Sequence, residues 1–445
     1  MNWALRLFKN LVGPTAVIAA GTMGAGAVAT LILAGAWFRY ELLWVIVLTL
    51  PLFVISVDSS SRIGAVNAGE GMLSIMRRHI HPSLAWALLL INVPVHIFVA
   101  MGQFSVMTSS FLSLLGFHPP GLDAAPSYLG LYRWLETGSS LLLAVLILWL
   151  VLSQGYDRMQ KAMTALMILM FFCFLVIALR SFQDAGAILA GFVPSVPENL
   201  PVPGTETFRL SNSTIIAIVG SAIAPGALLG IPYMSSDARK GKLDLKKELH
   251  RSVVNLGLIY GAYAVFIVVA GGFALYPLAH HAQIETVHQA GQVLGAAFPE
   301  SIRSLGPFIF SIGLFTAAMT TLIVAVQVIN YITLDMFNKP WAFASGNRLS
   351  RRMIIGITLL VAVLAPLWSF PALLKVILLM GINVLVIPLV IAAMIYLINR
   401  RAVMGEHTAS LWRNLILAAC FVLSVGLIWE KAPDYAQMLS AQFGS

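Results

Sequence analysis

Few side chains in the apolar interior of this 445-residue chain can do chemistry. His96 and Gln103 stand one heptad apart, which puts an imidazole and an amide on one helix face. An ionisable group inside an apolar helix is a candidate for ion or proton coupling; His96 has a second reading, as a ring bonded to a neighbouring backbone carbonyl. Asp58 and Lys375 are the other coupling candidates. Asp58 can instead pair with a nearby arginine. Lys375 can snorkel to the interface or, pointing inward, would repel cations and attract an anion. Thr320, Thr321 and Asn383 are uncharged hydrogen-bonders, suited to substrate or to helix–helix contact.

Backbone chemistry is available at two other places. In GTMGAGAVATLILAGA (Gly21–Ala36) a run long enough to cross a bilayer is interrupted at Gly24-Ala25-Gly26. In SAIAPGALLGIP a second run is interrupted at Ala224-Pro225-Gly226, where Gly230 and Pro232 weaken the helix further. A loosened backbone in hydrocarbon is tolerated only where it is buried in protein or lines a wet cavity. Met23, Gly24, Ala25, Gly26, Ala27, Ala224, Pro225 and Gly226, with Gln103, Thr320 and Asn383, are therefore the candidate substrate-binding set. Half-helix N-termini offer unpaired N–H groups and partial positive charge, which suit an anionic group such as a substrate carboxylate. The first break holds no carboxylate, histidine or cysteine, so no metal-ligand set is predicted there: a hard divalent cation needs carboxylates, and only backbone carbonyls and the Met23 sulfur are at hand.

The elements that must carry these residues follow from composition. The chain is 59% hydrophobic and 10% charged, which places it among polytopic membrane proteins as a single membrane domain over 1–445. Eleven spans are predicted, near 14–38, 40–61, 84–115, 132–152, 159–179, 213–235, 253–276, 305–334, 353–369, 371–398 and 412–429. The first reads as a retained span and not a signal peptide. Twenty of the 27 basic residues then fall in segments on one side and six on the other, with Lys375 inside a span. This bias predicts a cytoplasmic N-terminus and an outer C-terminus. The run RKGKLDLKKELHR lies on the inner face beside anionic lipid and is not a nucleic-acid patch. Cys173 and Cys420 sit in apolar runs as packing or lipid-facing residues. The remaining loops are too short for an enzyme domain, and no cofactor or nucleotide motif is present.

Five spans separate the two breaks. Interrupted segments at matching positions of two five-span halves (about 14–180 and 213–398) predict an inverted-repeat transporter with its substrate between the breaks, plus an extra helix at about 412–429. The alternative is that Gly and Pro merely permit close helix packing.

The frame GTMGAGAVATLILAGAWFRYELLWVIVLT resembles the first two spans of Nramp-type divalent-metal transporters, which have the LeuT fold. SSRIGAV, YDRMQKAMTALM, GAILAGFVP, GLFTAAMTTLIVAVQ, the Arg351-Arg352 pair and Pro388 are similar to that family in the same order. The resemblance implies an all-α LeuT-type membrane protein and a divalent metal substrate. It also implies a metal-holding Asp-Pro-Gly-Asn motif where this chain has Gly24-Ala25-Gly26-Ala27, and Met-Pro-His where it has Ala224-Pro225-Gly226. A further family histidine corresponds to Ile231, and the acidic residues of the third span fall on Val93, Ala100 and Gln103. GTMGAGA is also similar to the glycine-rich break of amino-acid transporters with the LeuT fold.

The expected function is thus a secondary transporter of the Nramp-related type in a bacterial inner membrane, driven by an ion gradient or by facilitated diffusion. Its partners are the lipid bilayer and a small solute or ion. A carrier of a small organic solute and a non-transporting scaffold or sensor are the alternatives. A polar cavity between the breaks would favour transport, and a site packed shut by Met23, Leu228 and Ile231 would favour the scaffold.

Overall fold

The computed structural model describes residues 13–120, 125–202, 208–237, 244–279, 300–303, 305–342, 347–367 and 386–443. Among them the regular structure is helical apart from a two-stranded antiparallel ribbon, β1 (Leu200–Pro201) with β2 (Phe208–Arg209). The main α-helices are α1 (Pro14–Thr22), α2 (Ala25–Phe38), α3 (Leu43–Val66), α4 (Met72–His79), α5 (Pro82–Leu114) and α6 (Pro126–Ala178). They continue with α7 (Ala185–Ala190), α8 (Ser211–Ala222), α9 (Pro225–Asp237), α10 (Leu245–Ser252), α11 (Tyr260–Ala274), α12 (Leu305–Met336), α13 (Arg348–Leu367), α14 (Ile387–Asn399) and α15 (Leu411–Phe443).

Nine membrane-length apolar segments occur among the described residues, and the bent pair α1–α2 makes a tenth. The predicted third span is one 33-residue helix, α5, that runs through Pro94. The predicted fourth and fifth spans lie along α6, as the apolar stretches Pro126–Leu152 and Lys161–Ser181. For the tenth span only its end, the apolar α14, is described; Lys375 and Asn383 lie outside the described residues.

Burial separates centre from rim. The apolar window of α12 is 83% buried, against 28% for that of α15 and for the first stretch of α6. Accordingly α12 is the inner post, packed on α5, α6 and α1, while α15 and α6 turn Trp429, Val422, Trp149 and Leu142 outward to lipid. Lipid tails give no hydrophobic drive between helices, so close backbone approach has to supply packing. Gly35 of α2 and Gly271 of α11 provide it: a Cβ on either would run into the other helix's backbone.

The two ends of the bundle are tied by polar clusters. At the end rich in Arg and Lys, hereafter the basic face, the Asp335 carboxylate of α12 accepts from the Leu73 and Ser74 N–H groups (2.9 and 3.1 Å), from the Ser74 hydroxyl and from Tyr233 OH (2.7 Å). It thereby caps the N-terminus of α4 and joins α4, α9 and α12. Tyr233 in turn stacks on Tyr331, with Trp341 edge-on to both. At the opposite face Asp184 accepts from Tyr40 OH (2.8 Å) and Arg39 (3.1 Å), and Trp44 donates to the Gly191 and Ser195 carbonyls.

Candidate functional site

The first interruption is a sharp one: α1 and α2 meet at 51° around Met23-Gly24. A helix end leaves carbonyls and N–H groups without partners, and inside a membrane they must find substitutes. Each of three neighbouring helices supplies some. From α12, Thr320 donates to the Ala20 carbonyl at 2.8 Å and Thr321 donates to the Gly21 carbonyl. From α11, Tyr263 donates to the Met23 carbonyl at 3.3 Å. From α5, the Gln103 Oε1 accepts from the Ala25 N–H at 3.2 Å and so caps α2. Gly24 is required here, because a Cβ would collide with Thr321 Oγ1.

The second interruption, at Ile223-Ala224, is milder, and Ser211–Asp237 still counts as one span. Pro225 begins α9 where its missing N–H costs nothing. Gly226 follows it, and the space of its absent side chain is taken by His96: a Cβ there would strike the imidazole Nε2. His96 is 4% exposed, and its Nδ1 lies 2.7 Å from the Asn92 carbonyl. A carbonyl only accepts, so the proton sits on Nδ1 and the Nε2 lone pair is left bare.

That nitrogen lines a cavity of about 40 Å³ between the two breaks, on their basic-face side. The wall includes Gly21, Thr22, Ala224, Gly226 and Thr321, and is otherwise mostly aliphatic. The volume suffices for a few waters or one partly hydrated ion. Met23, Leu228 and Ile231 are fully buried, yet none of them lines the cavity.

The structure thus gathers Ala224, Gly226 and His96 at the cavity and sets Met23, Gly24, Ala25, Gln103 and Thr320 just behind it as the frame of the first break. Pro225, Gly26 and Ala27 are buried beside it without forming the wall. Asp58 is elsewhere, paired at the basic face with Arg62 and Arg413. Cys420 is buried and accepts from Ser56. Three residues are absent from the sequence-based set, two at the first break and its cavity and one at the basic face. Tyr263 reads as one more aromatic in an apolar run, Thr22 as a spacer between glycines, and Asp335 as a flanking charge beside Lys339. The signal that could have raised Asp335 is a glycine-led short helix, Gly71-Met72, in need of an N-terminal partner. No cluster of three or more His, Cys, Asp or Glu able to hold a metal occurs among the described residues.

The description of the natural resistance-associated macrophage protein-like (Nramp) family matches residues 15–430. The chain belongs to the Nramp family. Its curated relatives include the divalent metal cation transporter MntH of Burkholderia ambifaria, 23% identical over 304 residues, 64% of this chain and 62% of the relative. MntH of Levilactobacillus brevis is 24% identical over 222 residues, 49% and 43% of the two chains. The matches therefore span less than two thirds of each relative's length. Among solved structures, a manganese transporter of Eremococcus coleocola superposes with a TM-score of 0.71 at 16% identity, over 97% of this chain and 87% of that one. MhsT in complex with L-phenylalanine gives 0.57 at 12% identity, over 94% and 97%. This Nramp chain therefore has the all-α LeuT-type fold expected from its sequence.

Proposed function

We propose that this Nramp-family chain is a membrane transporter that passes a metal cation through the gap between its two breaks, with the basic face cytoplasmic. The family and the metal-transporting relatives support the substrate class. The observation that carries the reading to these residues is His96. Its tautomer is fixed by a carbonyl, as in metal-binding histidines generally, and Nε2 faces open space. Thr321, Thr22 and Gly21 line the same cavity and bring hydroxyl and carbonyl oxygens to it.

Such a set is neutral: one nitrogen and several oxygens, with none of the carboxylates that hard cations favour. It suits borderline ions that prefer imidazole, such as cobalt or nickel, over magnesium. The replacements at Gly24, Ala27, Ala224 and Gly226 are then a change of donors and not a loss of the site. An organic carboxylate at the start of α2 has less support, because the Ala25 N–H that would receive it already bonds to Gln103.

Uptake by the purified protein in liposomes, with cobalt, nickel, manganese, magnesium and amino acids offered in turn, tests the reading. Cation uptake that falls at least about tenfold in His96→Ala supports it. Cation uptake indifferent to that change sinks the role of His96, amino-acid uptake instead of cation uptake sinks the substrate class, and a folded protein that moves nothing leaves the scaffold.

A further inference from the structure

A second cavity, of about 220 Å³, opens at the basic face between the end of α3 and the start of α15. Its wall holds Arg62, Arg413, His407, Thr408, Ser410 and Trp412. The two guanidiniums share one carboxylate. Asp58 Oδ2 accepts from Arg62 Nε at 2.8 Å and from Arg413 Nη1 at 2.7 Å, while Arg413 also donates to Ser59 Oγ at 2.8 Å. Arg62 has one further bond, to the Leu245 carbonyl at 3.5 Å. Glu248, on the neighbouring α10, pairs with Arg251 at 3.0 Å. Two arginines against one aspartate leave one positive charge at a place where Arg413 is only 4% exposed. Burying net charge is costly unless an anion answers it.

The same cavity receives the first turn of α15. The Asn414 N–H bonds to the Ser410 carbonyl, so the N–H groups of Leu411, Trp412 and Arg413 have no acceptor within the helix. They add the anion preference of a helix N-terminus to that of the two guanidiniums. The hydroxyls of Thr408 and Ser410 and the imidazole of His407 are exposed at the mouth. Beside them Leu411 and Trp412 project outward, 77% and 54% exposed, as a lipid-facing rim does.

We propose that this cavity binds a phosphate-bearing anion, held by Arg62, Arg413 and the first turn of α15. Two sources share that chemistry: the phosphodiester headgroup of an anionic lipid, and free phosphate. A lipid fits the rim, since its headgroup would sit on the arginines with its chains along Leu411 and Trp412.

The test uses the full chain in detergent and reads binding by native mass spectrometry and thermal melting. Phosphatidylglycerol, phosphatidylcholine and inorganic phosphate are added separately at matched ionic strength. Both arginines support Asp58, so changes there threaten folding; His407→Glu combined with Ser410→Glu places negative charge at the exposed mouth instead. Phosphatidylglycerol is expected to bind on the order of tenfold more tightly than phosphatidylcholine, with the ratio falling to about one in the double variant. Equal stabilisation by inorganic phosphate, lost in the same variant, assigns the site to the free anion. A preference for phosphatidylglycerol that survives the double variant, or no response to either phosphate source, overturns the proposal.

Discussion

His96 and Gly226 are coupled by contact, and this makes a sharp prediction. Gly226→Ala adds one methyl, which collides with Nε2 and turns the ring out of the cavity. Its effect on cation uptake is expected to match that of His96→Ala, and the double variant to be no worse than either single one, since residues in contact are not additive. Full additivity in the uptake assay would mean that the two side chains act separately. Gln103 makes a different point. Replacing it by Leu leaves the Ala25 N–H buried without a partner, at a cost of about 1–3 kcal/mol, and a lowered melting temperature in detergent would show it. The heptad spacing of His96 and Gln103 was legible in the sequence. Their division of labour was not, because one ring nitrogen's freedom depends on a glycine 130 positions away.

Short elements at the two ends make predictions of their own. Asp335 holds α4 through two backbone N–H groups and a serine hydroxyl, and holds α9 through Tyr233. Asp335→Asn removes the charge and part of the accepting capacity. It should expose the basic-face end of the bundle, read as severalfold faster thiol labelling of a cysteine placed at Ser74; an unchanged rate would show that packing alone closes this end. At the opposite face the Tyr40 hydroxyl, and then the Arg39 guanidinium, hold the Asp184 carboxyl below its usual range despite partial burial. A lowered carboxyl pKa contributes stability that is fully present above about pH 4, the value in the unfolded chain, and is lost as pH falls through the native value. Melting temperature should therefore gain an extra downward step below about pH 4, absent in Asp184→Asn. The sequence offered Asp184 only as a loop charge, since the turn that brings Tyr40 to it spans 144 residues.

For the whole molecule, the fold was more legible than the site. Apolar run lengths and the order of the two breaks suffice to predict a bundle of broken membrane helices, because bilayer thickness and backbone hydrogen bonding leave few solutions. The donors around a break follow no such rule, since they come from whichever helices pack there. Asp58 shows the same limit: its pairing with an arginine was foreseeable, but the partner Arg413 tethers the last helix to α3 from the far end of the chain. Removing Asp58 leaves two guanidiniums without their carboxylate and should destabilise the protein by about 3–5 kcal/mol, whereas removing Arg413 should cost less, since Arg62 still pairs with Asp58; chemical denaturation in detergent would measure the difference.

The polar bonds at the first break also fix what can swing. The last turn of α1 is fastened to α12 by Thr320 and Thr321, while the head of α2 is fastened to α5 by Gln103. If α1 tilts away to open the basic face, the two threonine bonds must part and the glutamine bond need not. The latching cost then falls on those hydroxyls together with the bonds from Tyr263 to Met23 and from Asn255 to Thr15, and α2 stays behind as the fixed jamb of the door.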